Sequence, residues 1–194
     1  MSALADLLAD LSSGDESRAE AAVPSLVALG EEASTALMEL SHSADADQRW
    51  WAIRTLAEIP QVRSEDLLPF LNDSVPEVRQ AAALALIAHP DDCAIPGLIR
   101  ALQDEDSMVA GLAGNALVKV GAASTPALIT VLNEMPVSSQ AARILALRAL
   151  SELNDQRAIP SLMKVMDEES ALLQYWAREG LERLGLNMVY MKPT

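Results

Sequence analysis

Two aromatic pairs occupy the same place in a repeating unit, each followed by a cation and an acid, in a 194-residue chain whose aromatic content is only 3%. Trp50-Trp51 is followed by Arg54, and Tyr175-Trp176 by Glu179 and Arg183. All three tryptophans of the chain belong to these pairs. Indole and phenol rings next to guanidinium groups suit recognition of another macromolecule, because Trp, Tyr and Arg dominate binding hot spots and a guanidinium stacks on an indole face. Residues that would make or break bonds are scattered. His42 falls in a turn and His89 precedes Pro90, and both read as solvent-facing. Cys93 has no histidine beside it, and Asp91 and Asp92 oppose the lowering of a thiol pKa that a helix start would give, so it reads as packed or inert. No glycine-rich phosphate loop and no zinc-ligand spacing occurs. No catalytic residue, metal or cofactor is expected.

The elements that must hold the aromatic pairs repeat about every 30 residues. Residues 91–121, DDCAIPGLIRALQDEDSMVAGLAGNALVKVG, are copied at 155–185 as DQRAIPSLMKVMDEESALLQYWAREGLERLG. Shorter or longer copies occupy 1–30, 31–60, 61–90 and 122–154, six units in all, followed by a tail at 186–194. Each unit reads as a short helix, an acidic turn and a longer helix, with apolar residues at helical spacing such as Leu98, Ile99 and Leu102, or Leu162, Met163 and Met166. Pro96, Pro126 and Pro160 fall in the first turn of the short helices, where a missing N–H costs nothing. Ser74 to Glu77 spells a capping box, and Gly30, Gly121 and Gly185 stand where a left-handed helix end needs them. Pro24 is expected to kink or shorten its helix, and Pro69 to be tolerated if its short helix starts late, at Asp66. No strand pattern is present.

The Ala-Ile-Pro-x-Leu openings at 94–98 and 158–162, the acidic turns at 104–106 and 167–169, the Val78-Arg79 pair and the Leu-x-x-x-Gly endings at 117–121 and 181–185 resemble the HEAT-like repeats of the phycobilisome lyase type, within the HEAT/armadillo α-solenoids. The resemblance covers nearly the whole chain. It implies an all-α, right-handed superhelix of about six helix pairs in one domain over 1–185, with the second helix of each unit lining a concave face. The chain lacks the His-Glu motifs of the di-iron deoxyhypusine hydroxylases built on this repeat, and its charge sets it apart from the HEAT-like alkyl-DNA glycosylases.

With the units aligned on Leu56, Leu86, Leu117, Leu150 and Leu181, that concave face offers Trp50, Trp51, Arg54 and Glu58, then Gln80, Ala81, Leu84 and Ala88. Gly111, Leu112, Asn115 and Lys119 follow, then Ile144, Leu145, Arg148 and Glu152, then Tyr175, Trp176, Glu179 and Arg183. Ala81 and Gly111 would leave room in the middle. One of Trp50 and Trp51 should pack against a neighbouring unit, since adjacent helical residues point about 100° apart. Stacked helices about 10 Å apart would separate the two aromatic pairs by roughly 40 Å, which suits an extended peptide, a protein surface or two separate sites.

A formal charge of −14 makes the chain a poor match for nucleic-acid phosphates. Most of the acid lies in turns and first helical turns, where it favours helix starts. No window is long and apolar enough to span a membrane. The first residues carry no basic segment of a secretory signal, and the single cysteine cannot form an internal disulfide, so a cytoplasmic location is expected. The tail LNMVYMKPT from Leu186 is apolar and would either cap the last helix pair or reach a second subunit. The expected function is a non-enzymatic scaffold or adaptor holding a protein or peptide partner. Burial would come from Trp50, Trp51, Leu84, Leu112, Leu145, Tyr175 and Trp176, and Arg54, Arg148 and Arg183 would fix polar or acidic groups. The alternative, implied by the resemblance alone, is a bilin lyase subunit or a phycobilisome-processing protein.

Overall fold

The structure is a computed structural model that describes residues 3–134 and 139–186. Every regular element among them is helical. The helices alternate short and long: α1 (Ala3–Leu11), α2 (Glu16–Leu29), α3 (Glu31–Leu40), α4 (Ala46–Leu56), α5 (Ser64–Leu67), α6 (Pro76–Ala88), α7 (Ile95–Ala101), α8 (Ser107–Val120), α9 (Thr125–Glu134), α10 (Gln140–Leu153), α11 (Ile159–Met166) and α12 (Ala171–Arg183). The chain is all-α, of the HEAT/armadillo-like solenoid class. It forms two compact units, Met1–Ala94 with α1 to α6 and Ile95–Thr194 with α7 to α12. The apolar tail from Asn187 onward, expected as a cap or a subunit contact, lies outside the described residues.

Each unit is built on leucines at helical spacing and on alanines where helices approach closely. In the first, Leu11, Leu26, Leu37, Ile53, Leu56, Leu67 and Leu86 are wholly buried with Ala52, Ala82 and Ala85. In the second, Leu98, Leu117, Leu128, Leu150, Leu162 and Leu181 are wholly buried with Ala113, Ala116 and Ala146. Each such leucine contributes roughly 1.5–3 kcal/mol of burial. Met166 joins this core, but Met163, at a spacing that reads as core, stands 46% exposed.

The acidic turns work mainly as helix starts. Asp15, Asp45 and Asp106 each accept two backbone N–H groups at the first turns of α2, α4 and α8, which satisfies donors that the helix itself leaves free. The capping box at Ser74 to Glu77 does not form. Val75 occupies the cap position of α6 with no side-chain acceptor, and Asp73 takes the Val75 N–H at 2.9 Å instead. Pro24 does not shorten its helix, since α2 runs through it for 14 residues. Pro69 acts otherwise than expected. The short helix starts early, at Ser64 with Arg63 as cap, and tightens into a 3-10 segment over Leu68–Asn72. A 3-10 turn spaces its hydrogen bonds differently from an α-helix, so the chain reaches Pro69 without an α-helical bond to supply.

The turns are also tied to the preceding long helix by an arginine. Arg49 of α4 grips both carboxylate oxygens of Asp73 at 2.8 Å and donates to the Ser43 and Ala44 carbonyls. Arg79 of α6 donates to the Asp73 carbonyl at 2.9 Å. In the second unit Arg143 of α10 pairs with Glu168 at 2.9 Å, while Gln174 of α12 bonds the Met166 and Glu168 carbonyls.

Candidate partner-binding face

Trp50 and Trp51 sit on α4, held by a packed floor of Ala52, Ile53 and Leu56. Neither is fully buried. The two rings meet edge to face at 4.9 Å. The Arg54 guanidinium lies 5.3 Å from the Trp51 ring and 5.9 Å from that of Trp50, and bonds Glu20 of α2 at 3.0 Å. Its Nη1 is buried without an acceptor. Beside the pair opens a hollow of about 510 Å³ bordered by Leu11, Glu16, Asp45, Asp47 and Gln48. Glu58, placed on the same face by the spacing, lies beyond the end of α4 and is exposed. On α6 Leu84 is 53% exposed, but Ala81 is buried and leaves no free space.

In the second unit the long helices α8, α10 and α12 carry the remaining predicted residues. Gly111 has open space where a Cβ would be. Leu112 and Leu145 are half-buried, while Asn115 and Lys119 are exposed. Tyr175 is 57% exposed and meets Trp176 edge to face at 5.3 Å. Arg148, from α10, sits 5.5 Å above the Trp176 ring, so one cation–π contact links two long helices. Glu179 and Arg183 pair with each other at 3.0 Å, one turn apart. Two large apolar residues escaped the sequence reading: Met108 on α8 at 59% exposed and Leu172 on α12 at 50%. Their signal was available. Met108 lies three residues before Gly111 and Leu172 three before Tyr175, one turn back in the same register.

Titratable side chains away from this face take structural parts. His89, expected in solvent, is half-buried and bonds the Ala57 carbonyl through Nε2 at 3.0 Å, while its own carbonyl accepts from the Ser64 hydroxyl. Cys93 is exposed, but partial desolvation and then the Asp91 carboxylate, with Glu65 behind it, push its thiol to about 11. Among the described residues no group of three His, Cys, Asp or Glu side chains is arranged to hold a metal ion. No single helix among them is long and apolar enough to cross a membrane.

A model of HEAT repeats matches residues 64–142, and one of the PBS lyase HEAT-like repeat matches residues 142–168. No curated protein matches the chain in sequence. Among solved structures, the complex of CpcE and CpcF of phycocyanin lyase from Nostoc sp. PCC7120 is similar at 25% identity, over 95% of this chain and 77% of that one, with a TM-score of 0.57. The HEAT-like repeats protein of the archaeon Thermococcus onnurineus NA1 is similar at 14% identity, over 98% and 84% of the two chains, with a TM-score of 0.62. An engineered protein is similar at 21% identity, over 95% and 99%, with a TM-score of 0.53. The last two likenesses are of fold. The two family models run end to end across more than half of the sequence, with one repeated helix pair beneath both, and the chain belongs to the HEAT-like repeat proteins.

Proposed function

We propose that the protein is a non-enzymatic interaction module that binds a segment of a partner protein on the exposed side of its long helices. The observation that carries this reading is the exposure of large apolar groups in one register of the second unit: Met108, Leu172 and Tyr175, each half or more exposed. A folded chain that leaves such groups in water on two of its long helices, α8 and α12, has surface to gain from a partner. Leu112, Leu145 and Trp176 would widen the apolar strip, and Arg148 would hold the Trp176 ring in place. An amphipathic segment with apolar anchors one helical turn apart fits this chemistry. A cytoplasmic location and the lack of a cofactor belong to the same proposal.

Affinity purification from the source cell tests it, comparing wild type with a Leu172→Ser/Tyr175→Ser variant and with Trp51→Ala/Trp176→Ala. Selective loss of the same proteins from both variants is expected, with unchanged circular dichroism. Identical captured proteins from all three would sink the proposal.

A second reading, a subunit of a lyase complex, is favoured by the 25% identity to the Nostoc phycocyanin lyase structure and by the PBS lyase repeat match. Incubation with a free bilin discriminates: a shifted absorbance spectrum supports the lyase reading, and an unchanged one removes it.

A further inference from the structure

We propose that the hollow beside Trp50 and Trp51 receives a lysine or arginine side chain from a basic partner segment, an inference that rests on the reading of the chain as a protein-binding module. The wall is aromatic and the rim is acidic. Of the rim carboxylates, Asp45 is engaged as a helix cap by the Asp47 and Gln48 N–H groups. Glu16 and Asp47 form no ion pair among the described residues, and no Lys or Arg lines the hollow. Its volume of about 510 Å³ admits a long side chain, whose methylenes would pack on the half-buried indoles while the charged head meets the rim.

The molecule itself shows what these rings accept. Arg54 already lies against both indoles, with Nη1 buried and no acceptor. Arg54 does not border the hollow, and Glu20 neutralises it at 3.0 Å, so a second cation would meet little repulsion. The acidic turn at 167–169 differs. There Arg143 pairs with Glu168 and Lys164 borders the same hollow, so its acids are already countered. An excess of acid over base, 28 residues against 14, would draw a basic segment in from a distance. The partner's recognised charges are therefore cationic, the reverse of what Arg54, Arg148 and Arg183 suggested as anchors for acidic groups. Two of those three cations are already engaged by Glu20 and Glu179.

The test uses the acetylated peptide Gly-Ser-Arg-Lys-Ser-Arg-Lys-Gly, and the same peptide with Glu at each basic position. Binding is followed by calorimetry and by tryptophan fluorescence in a Trp176→Phe background, where only Trp50 and Trp51 report. The basic peptide should bind and change the emission, and the acidic one should do neither. Glu16→Gln/Asp47→Asn, which leaves the exposed rim sterically intact, should weaken binding about tenfold, as should Trp51→Ala. Asp167→Asn/Glu169→Gln should leave it unchanged. Absent binding, or equal weakening by the 167/169 pair, overturns the proposal, the latter by showing diffuse attraction alone. Leu172→Ser/Tyr175→Ser separates the two readings. It should abolish partner capture yet leave the basic peptide bound, so failure of either arm is visible apart from the other.

Discussion

Arg49 and Asp73 face each other through two parallel 2.8 Å hydrogen bonds, with both side chains nearly nine-tenths out of solvent. The pair spans from a long helix to the next acidic turn, and Arg143 with Glu168 repeats the arrangement in the second unit. Asp73 has two tasks. One oxygen also receives the Val75 N–H that starts α6, so the arginine fixes both the turn and the helix that follows.

Replacing Arg49 with Ala should therefore cost more than a surface ion pair does. It strands a mostly buried carboxylate and frees the Ser43 and Ala44 carbonyls. A loss of about 2–3 kcal/mol is expected, in line with charged hydrogen bonds at partly buried sites. Urea denaturation of Arg49→Ala, Asp73→Ala and the double variant checks this. The double variant should be less damaged than the two single losses summed.

The same pair predicts a pH dependence. Desolvation raises the Asp73 carboxyl, but hydrogen bonds from Arg49 and the Val75 N–H, with the charges of Arg49 and Arg79, outweigh it and hold the pKa below the ordinary value. A carboxyl depressed in the folded state adds stability above its unfolded pKa, about 3.9, and loses it as pH falls through the folded value. Asp73→Asn should thus be markedly less stable than wild type at pH 7. The gap should close steadily below about pH 4, measured by thermal melts across that range. A gap that stays constant into acid would refute the assignment.

The helix pairs were legible because the repeat prints the same apolar register six times, so errors in one copy are corrected by another. What the sequence hid depended on contacts between copies. Arg49 and Arg143 read as ordinary helix charges until their turns fold against them. The Ser74 capping box failed because α6 starts one residue later, with Val75, which has no side-chain acceptor, at the cap position. Ala81 is apolar and small whether buried or free, so spacing alone could not tell that it faces inward. The candidate face was legible at its aromatics, whose matched positions stand out, while Met108 and Leu172 lie one turn back in the same register and carry no aromatic ring to mark them.

Glycines on two long helices should respond oppositely to alanine. At Gly111 nothing lies within 4 Å of an added Cβ, so Gly111→Ala should stabilise by about 0.5–1 kcal/mol through backbone entropy. At Gly180 the same atom would sit 3.1 Å from Leu162 Cδ1 and 3.6 Å from Ser151 Cβ. Leu162 is wholly buried and has little room to yield, so overpacking should cancel or exceed the gain. Thermal melts should place Gly180→Ala at least about 1 kcal/mol below Gly111→Ala; equal stabilities would mean that α11 and α12 separate easily.

Cys93 supplies a chemical prediction with a clear sign. Its thiol, raised to about 11 first by desolvation and then by Asp91 and Glu65, is exposed yet almost wholly protonated at neutral pH. The thiolate is the nucleophile, so alkylation by iodoacetamide at pH 7 should run about a hundredfold slower than for an ordinary thiol of pKa about 8.5. The rate should climb about tenfold per pH unit between 7 and 10. Asp91→Asn removes the nearest negative charge and should lower the thiol pKa and speed the reaction at pH 7. Mass-spectrometric time courses on both proteins read this directly. A fast reaction in wild type, or a slower one in Asp91→Asn, would show that the carboxylate activates the thiol rather than restraining it.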